Sequence, residues 1–178
     1  MRLEIERRFL VKNDDWKPKI IHSENFSQAY LNENRDEWTI RIRIIDQNKS
    51  YITLKNSSNG LINYEFEYPI PIEDGEELLN LSKYKITKTR SHLKINKKLW
   101  VVDSFYGSNS SLKIAEIELN SKFEEIKVPE WCGQEITGIK MMSNAALAKK
   151  PISELSIEDR LKAKDLQQNG NSSFRLSL

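Results

Sequence analysis

Apolar and polar residues alternate along most of this chain, and a period of two marks half-buried β-strands. Over Glu4–Val11 one face carries Glu4, Glu6, Arg8 and Leu10, and the other carries Ile5, Arg7, Phe9 and Val11. Residues 37–46 repeat the pattern, with Trp38, Ile40, Ile42 and Ile44 against Thr39, Arg41, Arg43 and Ile45. Residues 50–56 set Ile52 and Leu54 against Tyr51, Thr53 and Lys55; residues 62–70 set Tyr64, Phe66 and Tyr68 against Asn63, Glu65 and Glu67. Further strands are predicted over 26–32, 84–95, 98–106 and 112–121, the last with Glu116 and Glu118 opposite Ala115, Ile117 and Leu119. Polar turns are expected at Asn32–Asp36, Asp46–Lys49, Asn56–Gly60, Asn96–Lys97 and Gly107–Ser111. Residues 13–18 read as a turn or a short helical start, 19–25 as a connector, and Pro129–Gly133 as the end of the strand region.

The alternation breaks after Pro71. Ile72–Leu79 has acidic residues in its first turn, where they suit the dipole of a short helix. Ser143–Lys149 and residues 152–168 also read as helices, with Ser153 or Ser156 as a cap for the second, and 169–178 as a flexible tail. No repeat and no interdomain linker interrupts the chain. The expected fold class is α+β: about eight antiparallel strands in a curled or closed sheet, flanked by helices. One domain would span 1–151, with the helix 152–168 packed on it. That helix would cover the outer wall or one mouth of the sheet, or support a homodimer.

Composition narrows the function. The chain has 178 residues, enough for one domain with a core. Its 28 basic residues nearly cancel 26 acidic ones, so no global field argues for nucleic acid or membrane. No apolar run approaches the ~20 residues of a membrane span, and a charged strand rather than a signal peptide opens the sequence. A cytoplasmic location is the expectation. Cys132 is the single cysteine, so no intramolecular disulfide forms. Two histidines and one cysteine argue against a zinc site of the usual kind, and His22 and His92 are not read as ligands.

The charges are paired along the strands. Glu-x-Glu occurs at Glu4/Glu6, Glu65/Glu67 and Glu116/Glu118, and basic-x-basic at Arg41/Arg43 and Lys88/Arg90, with Arg8 and Lys55 besides. Two arrangements fit this pattern. In one, the charges form a solvated outer ladder, worth only ~0.2–1 kcal/mol per cross-strand pair. In the other, the sheet closes with its charges inward and helices cover its apolar outside. The second has a coherent chemistry. Guanidinium and ammonium groups bind a polyanion, and the glutamates hold a hard divalent cation, Mg²⁺ or Mn²⁺, against it.

These residues carry a resemblance. Glu4-Ile5-Glu6-Arg7-Arg8-Phe9-Leu10-Val11 is similar to the ExExK signature of CYTH-domain proteins in the triphosphate tunnel metalloenzyme superfamily. Further matches follow in the family's order. They are Gln28-Ala29-Tyr30-Leu31, Arg41-Ile42-Arg43, Thr53-Leu54-Lys55, Tyr64-Glu65-Phe66-Glu67, Lys88-Thr89-Arg90, Trp100-Val101-Val102-Asp103-Ser104-Phe105, Glu116-Ile117-Glu118-Leu119, the segment from Trp131 to Gly138, and Asn144-Ala145-Ala146-Leu147. The resemblance implies an eight-stranded antiparallel closed β-tunnel with a charged interior that binds triphosphate with Mg²⁺ or Mn²⁺. It implies that Glu4, Glu6 and Glu118 are metal ligands and that Glu116, Glu65 and Glu67 are supporting or second-metal carboxylates. Arg41, Arg43, Lys55, Lys88 and Arg90 would hold phosphate oxygens, and Asp103 would orient a basic partner. The last signature position is Arg8 rather than Lys. Arginine is not deprotonated in proteins, which leaves Arg8 a phosphate clamp or an ion-pair partner, not a base. Ser91 and Met142 stand where the family often has aromatic residues.

The expected function is metal-dependent hydrolysis of a triphosphate-containing small molecule, above all inorganic tripolyphosphate, with Glu4, Glu6, Arg8, Glu116 and Glu118 at the reaction centre. An adenylate cyclase or a nucleoside- or thiamine-triphosphatase on the same scaffold is the alternative; it needs an aromatic pocket that Phe26, Tyr30, Tyr51 and Trp100 could supply. A non-catalytic triphosphate-binding module is the third reading.

Overall fold

The structure, a computed structural model, describes residues 2–32, 38–57 and 62–154. In chain order the elements are β1 (Arg2–Val11), β2 (Ile20–Tyr30), β3 (Thr39–Ile45), β4 (Lys49–Ser57), β5 (Ile62–Ile70), α1 (Ile72–Leu81), β6 (Tyr84–Ile95), β7 (Lys98–Phe105), β8 (Lys113–Glu118), β9 (Cys132–Glu135) and α2 (Asn144–Lys149). The expected helix over 152–168 and the tail 169–178 lie outside the described residues beyond Glu154, where Ile152–Glu154 is a 3₁₀ turn. The turns near 32–36 and 56–60 lie largely outside them too.

All strands join one antiparallel sheet in the order β5-β4-β3-β2-β6-β7-β8-β1-β9. Among the described residues it has nine strands, against the eight expected. β1 pairs with β8 through Glu6–Leu10 and with β5 through Arg2–Ile5. Tight turns fix two hairpins. Asp46 and Gln47 (φ 46° and 59°) and Asn96 and Lys97 (φ 50° and 64°) take the left-handed conformation whose twist suits a β-hairpin.

Two predictions missed strands. Residues 20–25 of the expected connector 19–25 belong to β2, which pairs with β6 along nearly its whole length, while Lys19 ends a 3₁₀ turn. This part of β2 lacks an apolar stripe because His22, Ser23, Glu24 and Asn25 put polar groups on both faces. The segment thought to end the strand region begins β9, a short strand held to β1 at Phe9 and Val11.

One sheet face packs Phe9, Val11, Leu93, Trp100, Val102, Ala115 and Ile117 beneath Trp16 and Trp131. Trp100 lies 5.8 Å from Phe9 and 6.0 Å from Trp131, ring centre to ring centre. The opposite face ends in a second apolar cluster. Leu10, Ile86, Phe105 and Ile114 pack there against Met142, Leu147 and Ala148. Thus α2 covers one end of the polar face, and the Ser143 side chain caps it by accepting from the Ala146 amide at 3.2 Å. No helix among the described residues is long and apolar enough to cross a membrane.

Candidate functional site

Antiparallel register brings the expected charges together. Arg8 lies opposite Glu116, Glu6 opposite Glu118, Arg90 opposite Asp103, and Lys55 opposite Glu65. Their side chains share the face that ends in Leu10, Ile86, Phe105 and Ile114, two residues along from Arg8, Lys88, Asp103 and Glu116.

One half of the site centres on Asp103, which is fully buried. Arg90 donates Nε and Nη2 to its two oxygens at 2.7 Å each, and Lys88 donates Nζ to Oδ2. Arg90 also reaches Glu116 at 2.6 Å, and Glu116 accepts from Arg8 Nε at 2.9 Å. Arg8 donates further to the Met142 carbonyl at 3.2 Å. Burial alone would raise the Asp103 carboxyl, but Arg90 and Lys88 overcome it and hold it below the usual range. Glu116 is lowered in the same way, against burial, chiefly by Arg90. Burial pushes Lys88 down to about 8 although Asp103 pulls it up.

The other half centres on Arg41. It donates to Thr53 Oγ1 at 3.1 Å, Glu65 at 3.3 Å and Glu67 at 3.2 Å. Arg43 pairs with Glu67 at 3.4 Å and Lys55 with Glu65 at 3.3 Å. Burial and the neighbouring Arg41 push Arg43 down to about 10. Phe26 joins the halves, with Arg43, Lys88 and Arg90 at 5.3, 5.7 and 5.5 Å from its ring centre. Such contacts hold cations against an aromatic face.

Two buried donors on this face, Arg43 Nε and Gln28 Nε2, have no hydrogen-bond partner among the described residues. Buried donors without acceptors are rare in folded proteins and call for a ligand or solvent partner. Two carboxylates show the converse. Glu6 and Glu118 stand directly opposite each other across β1 and β8, and neither has an ion-pair or hydrogen-bond partner among the described residues. Like charges in that register repel; Arg8 and Arg90 attract the Glu6 carboxylate, and a hard cation between the two glutamates would relieve the repulsion further. Glu4 is placed by backbone register alone, opposite Asn63.

Sequence reasoning matched Gln28 and Thr53 to family motifs but gave neither a site role. Both are uncharged, and their signal was their position beside the basic pairs. Of the proposed pocket aromatics, Phe26 contacts the cations, Tyr30 donates to Gln28 Oε1 at 3.3 Å, and Trp100 belongs to the apolar core on the other face. His92, near the edge of the same face, accepts or donates at 2.9 Å with Glu24. Burial holds its imidazole below the ordinary value, Glu24 opposes that, and His22 adds to it.

Sheet and site together define an antiparallel β protein with one largely buried face carrying both signs of charge. The chain belongs to the CYTH domain family, which it matches over residues 2–150. It is 35% identical over 153 residues to an inorganic triphosphatase of Acetivibrio thermocellus, covering 85% of this chain and 96% of that protein. It is 32% identical over 149 residues to an inorganic triphosphatase of Nitrosomonas europaea, covering 82% and 96%. The crystal structure of the inorganic triphosphatase NE1496 superposes with a TM-score of 0.63 at 30% identity, over 83% of this chain and 95% of that one.

Proposed function

We propose that this protein is a divalent-metal-dependent triphosphatase that hydrolyses inorganic tripolyphosphate to pyrophosphate and phosphate. The observation that carries the reading is that buried donors without acceptors, Arg43 Nε and Gln28 Nε2, share one face with Glu6 and Glu118, carboxylates that have no ion-pair or hydrogen-bond partner among the described residues. That face asks for an anion and a cation together. The two relatives named inorganic triphosphatases, matched over 96% of their lengths, support it.

In this reading the sheet works as a tunnel, with β1 bridging β5 and β8 and α2 stopping one end. Arg41, Arg43, Lys55, Lys88, Arg90 and Arg8 hold the phosphate oxygens; the arginines supply paired donors and the lysines point charges. Asp103 positions Lys88 and Arg90. Glu4, Glu6 and Glu118 hold the metal, and Glu116, Glu65 and Glu67 support it or a second ion. The all-oxygen donor set suits Mg²⁺ or Mn²⁺. Bound there, such an ion would neutralise phosphate charge and activate water.

Water attacks the terminal phosphorus, the P–O bond to the bridging oxygen breaks, and pyrophosphate leaves with that oxygen. The proton passes to solvent, because Arg8 holds its own. Catalysis then rests on orientation and on fixed positive charge around the equatorial oxygens.

The test is phosphate release from tripolyphosphate, long polyphosphate and ATP with Mg²⁺ or Mn²⁺. Fastest turnover of tripolyphosphate is expected. Cyclic AMP from ATP would assign the cyclase reading, and tight binding without turnover the binding-module reading.

A further inference from the structure

We propose that His22, Glu24 and His92 form a binding site for a borderline divalent metal ion of the Zn²⁺ class, separate from the Glu6–Glu118 carboxylates. The site lies where β2 pairs with β6. His22 stands directly opposite His92, and the register shifts between Ile20 and His22. Such an irregularity re-aims the side chains beside it. The two imidazoles stack with centres 4.1 Å apart and planes 8° from parallel. Glu24 Oε2 lies 2.9 Å from His92 Nε2, and one ligand atom from each residue falls within 4.8 Å of the others.

The donor chemistry selects the ion. Imidazole suits zinc, copper and nickel, whereas Mg²⁺ keeps to oxygen and water. In a tetrahedral site with bonds of 2.0–2.1 Å, ligand atoms sit roughly 3.4 Å apart. Glu24 Oε2 and His92 Nε2 are already closer than this, and the ligand atoms lie within 4.8 Å of one another; because the stacked rings keep their nitrogen lone pairs in nearly parallel planes, His22, the exposed member, must turn for its nitrogen to converge on the ion. Three protein ligands leave one position open.

The position also fits. Along β6, His92 follows Arg90, and along antiparallel β2, Glu24 precedes Phe26, each two residues further from the end covered by α2. Two cations of β6 stand two residues from His92: Lys94 is exposed to solvent, and the Arg90 guanidinium is already neutralised by Asp103 and Glu116. Cys132 is no rival ligand, because burial pushes its thiol up to about 12. The inference stands on donor geometry and does not depend on the triphosphatase reading.

The experiment is a zinc titration of the full chain in excess Mg²⁺, followed by calorimetry and by ¹H–¹⁵N spectra of the imidazole rings. The chain's two histidines are these two, so each ring is assigned by its alanine variant. One equivalent of Zn²⁺ should move both rings' nitrogen resonances together. Affinity should fall more than tenfold in His22→Ala and His92→Ala and persist in Glu118→Gln. Rings unmoved by one equivalent, a response from one ring alone, or unchanged affinity in the two histidine variants would overturn the site.

Discussion

Asp103 has no contact with solvent, and both Lys88 and Arg90 direct their charge at it. Removing its charge while keeping its shape leaves buried Lys88 and half-buried Arg90 each short of a partner, and breaking a buried ion pair costs roughly 3–5 kcal/mol in comparable settings. Asp103→Asn is expected to lower the denaturant midpoint accordingly, and a near-wild-type midpoint would show the cations are satisfied elsewhere. Lys88 gives a pH signature. With its pKa near 8 it is charged in neutral solution and loses its proton above that. Triphosphate affinity should begin to decline as pH rises through about 8, and Lys88→Arg should remove the inflection in a calorimetric pH series. For stability the sign is opposite. The folded pKa lies below the reference 10.5, so the unfolded chain holds more protons between pH 8 and 10.5, and folding gains as pH rises across that window.

Among the elements, α1 and α2 each rest on a close contact that a single substitution can test. Gly75 of α1 faces β4 so closely that an added Cβ would lie 1.9 Å from Ser50 Oγ and 2.7 Å from Ser50 Cβ. Alanine favours a helix interior by about 1 kcal/mol over glycine, yet overpacking a tight contact costs typically 1–3 kcal/mol. Gly75→Ala is therefore expected to destabilise, and Ser50→Gly to restore the loss in the double variant; a stabilised Gly75→Ala protein would show that α1 can shift. Leu147 of α2 is buried among Leu10, Ile86, Phe105 and Ile114. Leu147→Ala should cost about 2–5 kcal/mol, read as a drop in thermal midpoint. The strands carry their hairpins locally, through Asp46-Gln47 and Asn96-Lys97, but β1 is fixed by partners far along the chain, in β5, β8 and β9.

At the scale of the whole molecule, the net charge of +2 supplies no long-range field, so recognition depends on local convergence. Chelating divalent metal should abolish phosphate release, and Mg²⁺ or Mn²⁺ should restore it. Glu118→Gln should lower turnover by roughly 10²-fold or more at saturating metal, since the ion's charge stabilisation is worth several kcal/mol. Full activity in that variant would remove Glu118 from the metal's surroundings.

The alternation of most strands, and the division of β1, β3, β5 and β8 into a mainly apolar face and a charged one, were legible in the sequence, because a period of two is a local property of the backbone. Motif order carried the family as well. What stayed hidden was non-local. β9 is too short and too irregular to announce itself, and it exists because Phe9 and Val11 offer it an edge. The first half of β2 is polar on both faces, so only its pairing with β6 makes it a strand. Which carboxylate each cation takes, and that His22 meets His92, depend on register between distant strands. Sequence fixes what a side chain can do and which face it shares, while tertiary pairing chooses its neighbours, since closing the long loops between strands brings together groups with no local correlation.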